Sequence, residues 1–164
     1  MSAPHVYVDG DACPVRDEAF RVAARHGLGV TVVSNGSRGV RLPDGVRRVI
    51  VAEGPDAADD WIAEAIRPGD ICVTADIPLA SRCLQAGGHA VAPGGRIWDQ
   101  ENIGGALAGR EVSRHMREMG HETRHAGFTT QNRSRFLEAM EAVVQRAMRG
   151  APKPPPPMPD FFSD

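Results

Sequence analysis

The chain has 164 residues, 41% of them apolar, which fits one domain with a real core. Its 19 basic and 21 acidic side chains leave a formal net charge of −2, which argues against a nucleic-acid binder held by bulk positive charge but not against a local basic patch. Only Lys153 among the basic residues is a lysine; gene base composition accounts for that bias before phosphate clamping by arginine does.

Residues 5–9 read as a strand, an apolar run ending in Asp9. Residues 14–26, "PVRDEAFRVAARH", read as a helix with Pro14 in its first turn, where the missing N–H is harmless. Val15, Ala19, Val22 and Ala23 share one face, and Gly27 ends the helix. A β-branched strand follows at 29–34, then a loop of turn formers at 35–45 and a third strand at 46–52. A helix is expected over 55–66. "DICVTAD", 70–76, reads as a fourth, central strand, followed by a helix at 77–86 and a short fifth strand at 89–92. "PGGRIWDQENIGG" reads as irregular or a short hairpin, 101–119 as a glycine-weakened helix and 120–130 as a polar loop. Residues 131–149 form a clear amphipathic helix with Phe136, Leu137, Met140, Val143, Val144 and Met148 on its apolar side. The rhythm predicts an α/β fold: a three-layer αβα sandwich on a mostly parallel sheet of about five strands, with C-terminal helices. The domain spans 1–149, and the proline-rich 150–164 reads as a flexible tail.

Cys13, Cys72 and Cys83 form no C-x-x-C pair and are expected as reduced thiols. The start lacks a basic segment followed by an apolar one, so no secretory leader is expected, and no apolar run nears the ~20 residues that span a bilayer. A cytoplasmic protein without a membrane partner is expected.

The acids carry the chemistry. Asp9 and Asp11 follow strand one; Asp56, Asp59 and Asp60 open the helix after strand three; Asp76 follows strand four. A parallel sheet gathers those strand ends on one edge, where such folds place their sites. Crowded carboxylates raise each other's pKa unless a cation joins them. Oxygen ligands suit Mg²⁺ or Mn²⁺, and such ions can clamp the attacking and leaving oxygens of a phosphodiester displacement. Each acid also has a plainer role: Asp56 and Asp76 as helix caps, Asp9-Gly10-Asp11 as turn chemistry. Acids at three separate strand ends favour a shared site over three coincidences.

Other candidates are weaker. Cys13 opens a helix whose dipole would lower its pKa, but no histidine is near in sequence. His121 and His125 lack a third zinc ligand. Loop arginines Arg38, Arg41, Arg47 and Arg48 could hold phosphates or be solvated.

"VDGDACPV", "GPDAADDWI" and "GDICVTADIPLA", in that order, resemble the YaiI/YqxD family of bacterial proteins, as do "GGHAVAPGGRIW" and the "QNRSRF" helix. The likeness spans about 5–149. That family is similar to the PIN-like nucleases, which bind divalent metal through carboxylates at strand ends. The resemblance implies a PIN-like domain with Asp9, Asp11, Asp59 and Asp76 as site residues and Asp56 as a helper. Asp60 stands where the family often has asparagine, which leaves it a helper too.

The expected function is thus a Mg²⁺- or Mn²⁺-dependent phosphodiesterase, foremost a ribonuclease acting on RNA. Asp9, Asp59 and Asp76 would hold the metal, Asp11 would orient it or activate water, and Arg38 and Arg41 would contact the substrate backbone. A non-catalytic nucleic-acid or nucleotide-binding module is the alternative. "VYVDGD" and "VVSNG" also resemble motifs of haloacid dehalogenase-type phosphatases, but the lysine such enzymes use is absent outside the tail.

Overall fold

Valine and isoleucine crowd the runs that become strands, because a branched Cβ packs well on a pleated surface and poorly in a helical turn. The computed structural model describes residues 3–10, 13–35, 42–52, 54, 56–109 and 129–149. The strands are β1 (Val6–Asp9), β2 (Val30–Ser34), β3 (Val46–Ile50), β4 (Ile71–Val73), β5 (His89–Val91) and β6 (Ile97–Trp98). The helices are α1 (Arg16–Arg25), α2 (Ala57–Ala65), α3 (Ile77–Gln85), a described segment at 103–109 that we term α4, and α5 (Thr130–Met148).

The strands form one sheet in the order β3-β2-β1-β4-β5-β6. Every pairing is parallel except β5 with β6. The sheet therefore has six strands rather than about five. The extra one comes from the segment read as irregular or a hairpin: Ala92 N donates to Arg96 O at 2.8 Å and closes the turn into β6. Gly95 sits in that turn at φ +96°, and a Cβ there would lie 2.8 Å from the Arg135 backbone of α5. Both the dihedral and the close approach require glycine.

Alternation along the strands assigns the two faces. Val6 and Val8 of β1, Val30 and Val32 of β2, and Ile71 and Val73 of β4 pack under α1 and α5. Tyr7, Val33 and Cys72 face the other way, toward Ile62 of α2 and Leu79 of α3. The result is three layers, with β4 interior as the sequence predicts. The expected face of α1 is realised, since Val15, Ala19, Val22 and Ala23 are all buried. So are Phe136, Met140, Val143 and Val144 of α5; burying one phenyl side chain of this kind contributes about 2–3 kcal/mol. Met148 departs from the expected stripe and is 49% exposed in the last turn.

The fourth strand is shorter than the predicted 70–76. Asp70 turns back at its start, accepting from His5 N at 3.0 Å and Arg67 N at 2.9 Å. At its end Thr74 N still donates to Val91 O of β5 at 3.1 Å, while the Thr74 and Asp76 side chains turn to contacts that start α3. Residues 110–119 of the expected helix, the loop histidines His121 and His125, and the tail 150–164 lie outside the described residues.

Candidate functional site

A sheet ordered β3-β2-β1-β4 reverses its winding between β1 and β4, so the carboxyl ends of those two strands frame an open crevice. Val8 pairs with Val73, which brings the next residues, Asp9 and Thr74, side by side at that edge. The Thr74 hydroxyl donates to Asp9 Oδ2 at 3.0 Å. Its oxygen accepts from Asp76 N at 2.9 Å. Asp76 is the N-cap of α3, its Oδ1 accepting from Leu79 N at 2.8 Å, with Pro78 in the first turn where no N–H is needed. One buried threonine thus ties the end of β1 to the start of α3.

The first turn of α2 brings the remaining acids. Asp56 holds the N-cap position without a side-chain capping bond, so its expected capping role is not taken up. Asp59 is half-buried beside Asp76, close enough for a hydrogen bond between their carboxyls. Loss of solvent, then the negative charges of Asp76 and Asp9, that hydrogen bond and the charge of Asp56 push the Asp59 carboxyl up to about 7. Asp60, one residue on, points to α3, where Arg82 Nη1 meets its Oδ1 at 2.7 Å. A cavity of about 380 Å³ opens between the two helix starts, lined by Asp56, Asp59, Asp60, Asp76, Pro78, Leu79 and Arg82.

Asp9, Asp56 and Asp76 are therefore each within electrostatic reach of Asp59. Asp60 pairs with Arg82. Asp11, Arg38 and Arg41 lie outside the described residues. Arg47 and Arg48 are exposed on β3. Cys13 is not the activated thiol its helix position suggests: burial outweighs the helix terminus and pushes it up to about 11.

The donor chemistry is all carboxylate, which fits a hard divalent ion. Yet among the described residues no three His, Cys, Asp or Glu side chains are disposed as a ready metal-binding group. Asp76 Oδ1 is engaged by its helix and Asp9 Oδ2 by Thr74. Burial and the neighbouring negative charges favour the protonated form of Asp59, and a cation would relieve the same repulsion.

Two residues of the site are not evident from sequence. Thr74 read as part of a strand, although a threonine two residues before a helix-starting aspartate is a known local hydrogen-bonding pattern. No motif singles out Arg82; its spacing of four from Pro78 is the signal that sets both on the cavity side.

An αβα domain with acids gathered at its switch point is what fold and site define. The chain belongs to the YaiI/YqxD family: the profile described as "Uncharacterized BCR, YaiI/YqxD family" matches residues 7–146. It is 51% identical over 149 residues to a UPF0178 protein of Caulobacter vibrioides, covering 90% of this chain and 97% of that one. A UPF0178 protein of Rhodopseudomonas palustris is 48% identical over 151 residues, 92% of each chain. One of Rhodospirillum rubrum is 52% identical over 147 residues, 88% of this chain and 98% of the relative. No solved structure is a significant match. Among the described residues no helix is long and apolar enough to cross a membrane.

Proposed function

We propose that the domain is a Mg²⁺- or Mn²⁺-dependent phosphodiesterase of the PIN-like kind, a ribonuclease, with Asp9, Asp59 and Asp76 as metal ligands. The observation that carries this reading is geometric: Thr74 ties the Asp9 carboxylate at the end of β1 to the start of α3, where Asp76 lines one cavity with Asp59 and Asp56 of α2. Burial first, and then the charges of Asp76, Asp9 and Asp56, push the Asp59 carboxyl up to about 7, as expected where acids from the end of β1, the first turn of α2 and the cap of α3 gather. A purely structural role for these acids would not require them to meet.

A bound divalent cation would supply charge neutralisation and a water of lowered pKa. The chain's own part is preorganisation. Thr74 fixes the Asp9 carboxylate, and the α3 amide of Leu79 fixes Asp76. Asp59 would give up its proton to become a ligand of such an ion. Asp11 is assigned from sequence to orient the ion or take a proton from water. Arg38 and Arg41 are assigned to the RNA backbone, Asp56 to a supporting position. Three free, buried thiols favour a cytoplasmic setting.

The test is cleavage of single-stranded RNA with Mn²⁺ by wild type and Asp9→Asn. Activity lost in the variant supports the reading; equal activity in both, or none in either, overturns it.

A further inference from the structure

Among the described residues, the wall of the cavity between α2 and α3 holds four carboxylates and one cation, Arg82. The carboxylates of this wall repel a phosphodiester, so its entry needs a positive group there. Arg82 is placed to be that group. Its side chain is 43% exposed at the rim, and its partner Asp60 is 57% exposed. An ion pair so open to solvent is weak and can exchange one anion for another at little cost. The guanidinium fork matches a phosphate's two oxygens as well as it matches a carboxylate.

Asp60 lines the same cavity and is the acid that pairs with Arg82. The groups that perturb Asp59 are Asp76, Asp9 and Asp56, whereas Asp60 contacts Arg82. Of these two successive aspartates on α2, Asp59 meets Asp76 and Asp60 makes the ion pair with Arg82, whose guanidinium also feels the charge of Asp59.

We propose that Arg82 receives the phosphate of the substrate backbone in this cavity, with Asp60 holding the guanidinium at the rim until that phosphate displaces it. The inference rests on the phosphodiesterase reading above and adds to it the anion-binding side of the site. A contact to phosphate carries no base identity, so Arg82 strengthens the binding of every sequence alike.

The experiment measures binding of phosphorothioate-linked single-stranded oligo-U and oligo-A RNA in Mn²⁺ across a series of salt concentrations. It compares wild type, Arg82→Gln, Arg82→Lys and Asp60→Asn, with Mn²⁺ binding followed by calorimetry in each. Arg82→Gln is expected to weaken both RNAs about tenfold and to lower the log–log salt slope by about one. Arg82→Lys recovers part of the loss, Asp60→Asn binds at least as tightly as wild type, and all three retain Mn²⁺ binding. Wild-type affinity and slope in Arg82→Gln overturn the assignment while leaving the nuclease reading intact. So does an Asp60→Asn variant as weak as Arg82→Gln, because the pair is then a brace between α2 and α3. A wild type that takes Mn²⁺ but no RNA instead overturns the phosphodiesterase reading, and the role of Arg82 with it.

Discussion

Thr74 donates its hydroxyl to Asp9 Oδ2 at 3.0 Å from a position only 1% exposed. The same oxygen accepts from the backbone of Asp76. Thr74→Val keeps the shape and removes both bonds, leaving a charged acceptor and a backbone donor each short of a partner. We expect a loss of about 1–3 kcal/mol in denaturant unfolding. If the threonine also aims the carboxylate, Mn²⁺ affinity falls about 10–100-fold. Thr74→Ser restores both. A valine variant with the wild-type midpoint would show that the bridge contributes nothing.

Asp76 caps α3 and is proposed to hold metal, and two substitutions separate these roles. Asp76→Ala loses the cap and is expected to cost about 1 kcal/mol. Asp76→Asn keeps an acceptor for Leu79 N and stays near wild-type stability. Both should lose Mn²⁺ binding in a calorimetric titration. If the asparagine variant titrates like wild type, Asp76 is a cap and no more.

The raised Asp59 carboxyl makes stability depend on pH with a definite sign. An unfolded aspartate releases its proton near pH 4, whereas the folded group holds it up to about 7. Between those values the folded state binds the extra proton, so stability of the metal-free protein falls as pH rises through the window. Thermal midpoints from pH 4 to 7 should show less decline in Asp59→Asn. In the same window Mn²⁺ uptake should release a proton, read as a dependence of the apparent heat on buffer ionisation. Parallel pH profiles for wild type and variant would remove Asp59 as the responsible group.

Gly10 lies between Asp9 and Asp11 for reasons of space. A Cβ there would come within 2.7 Å of Val32 Cγ1 and 3.2 Å of Val33 O on the neighbouring strand. Gly10 N also donates to Val33 O at 2.8 Å, so the backbone cannot simply withdraw. Gly10→Ala is expected to destabilise by about 1–3 kcal/mol through overpacking and to shift Asp9 away from Thr74. Unchanged unfolding and unchanged Mn²⁺ affinity in the alanine variant would contradict this.

The layers were legible because burial leaves a periodic trace. Val6 and Val8 alternate with Tyr7, and Phe136, Met140 and Val143 recur at helical spacing, so strand and helix could each be read from sequence. Gathering acids at one edge followed from the parallel order alone. What could not be read depends on which neighbour a side chain meets. Asp59 and Asp60 are identical in type and adjacent in sequence, yet only the packing of α2 beside α3 sends one to Asp76 and the other to Arg82. The dipole argument at Cys13 failed because burial, invisible in the local sequence, was the larger effect. Gly10 read as turn chemistry, although it is the proximity of β2 that demands it.

The strand order leaves β3 at one border of the sheet, with the side chains of Arg47 and Arg48 exposed on opposite sides of it. Without them, Val46, Val49 and Ile50 would make that border a template on which a stray chain could stack. Two adjacent arginines make each added layer repel the last, so this protein should resist fibril growth from that side even when crowded.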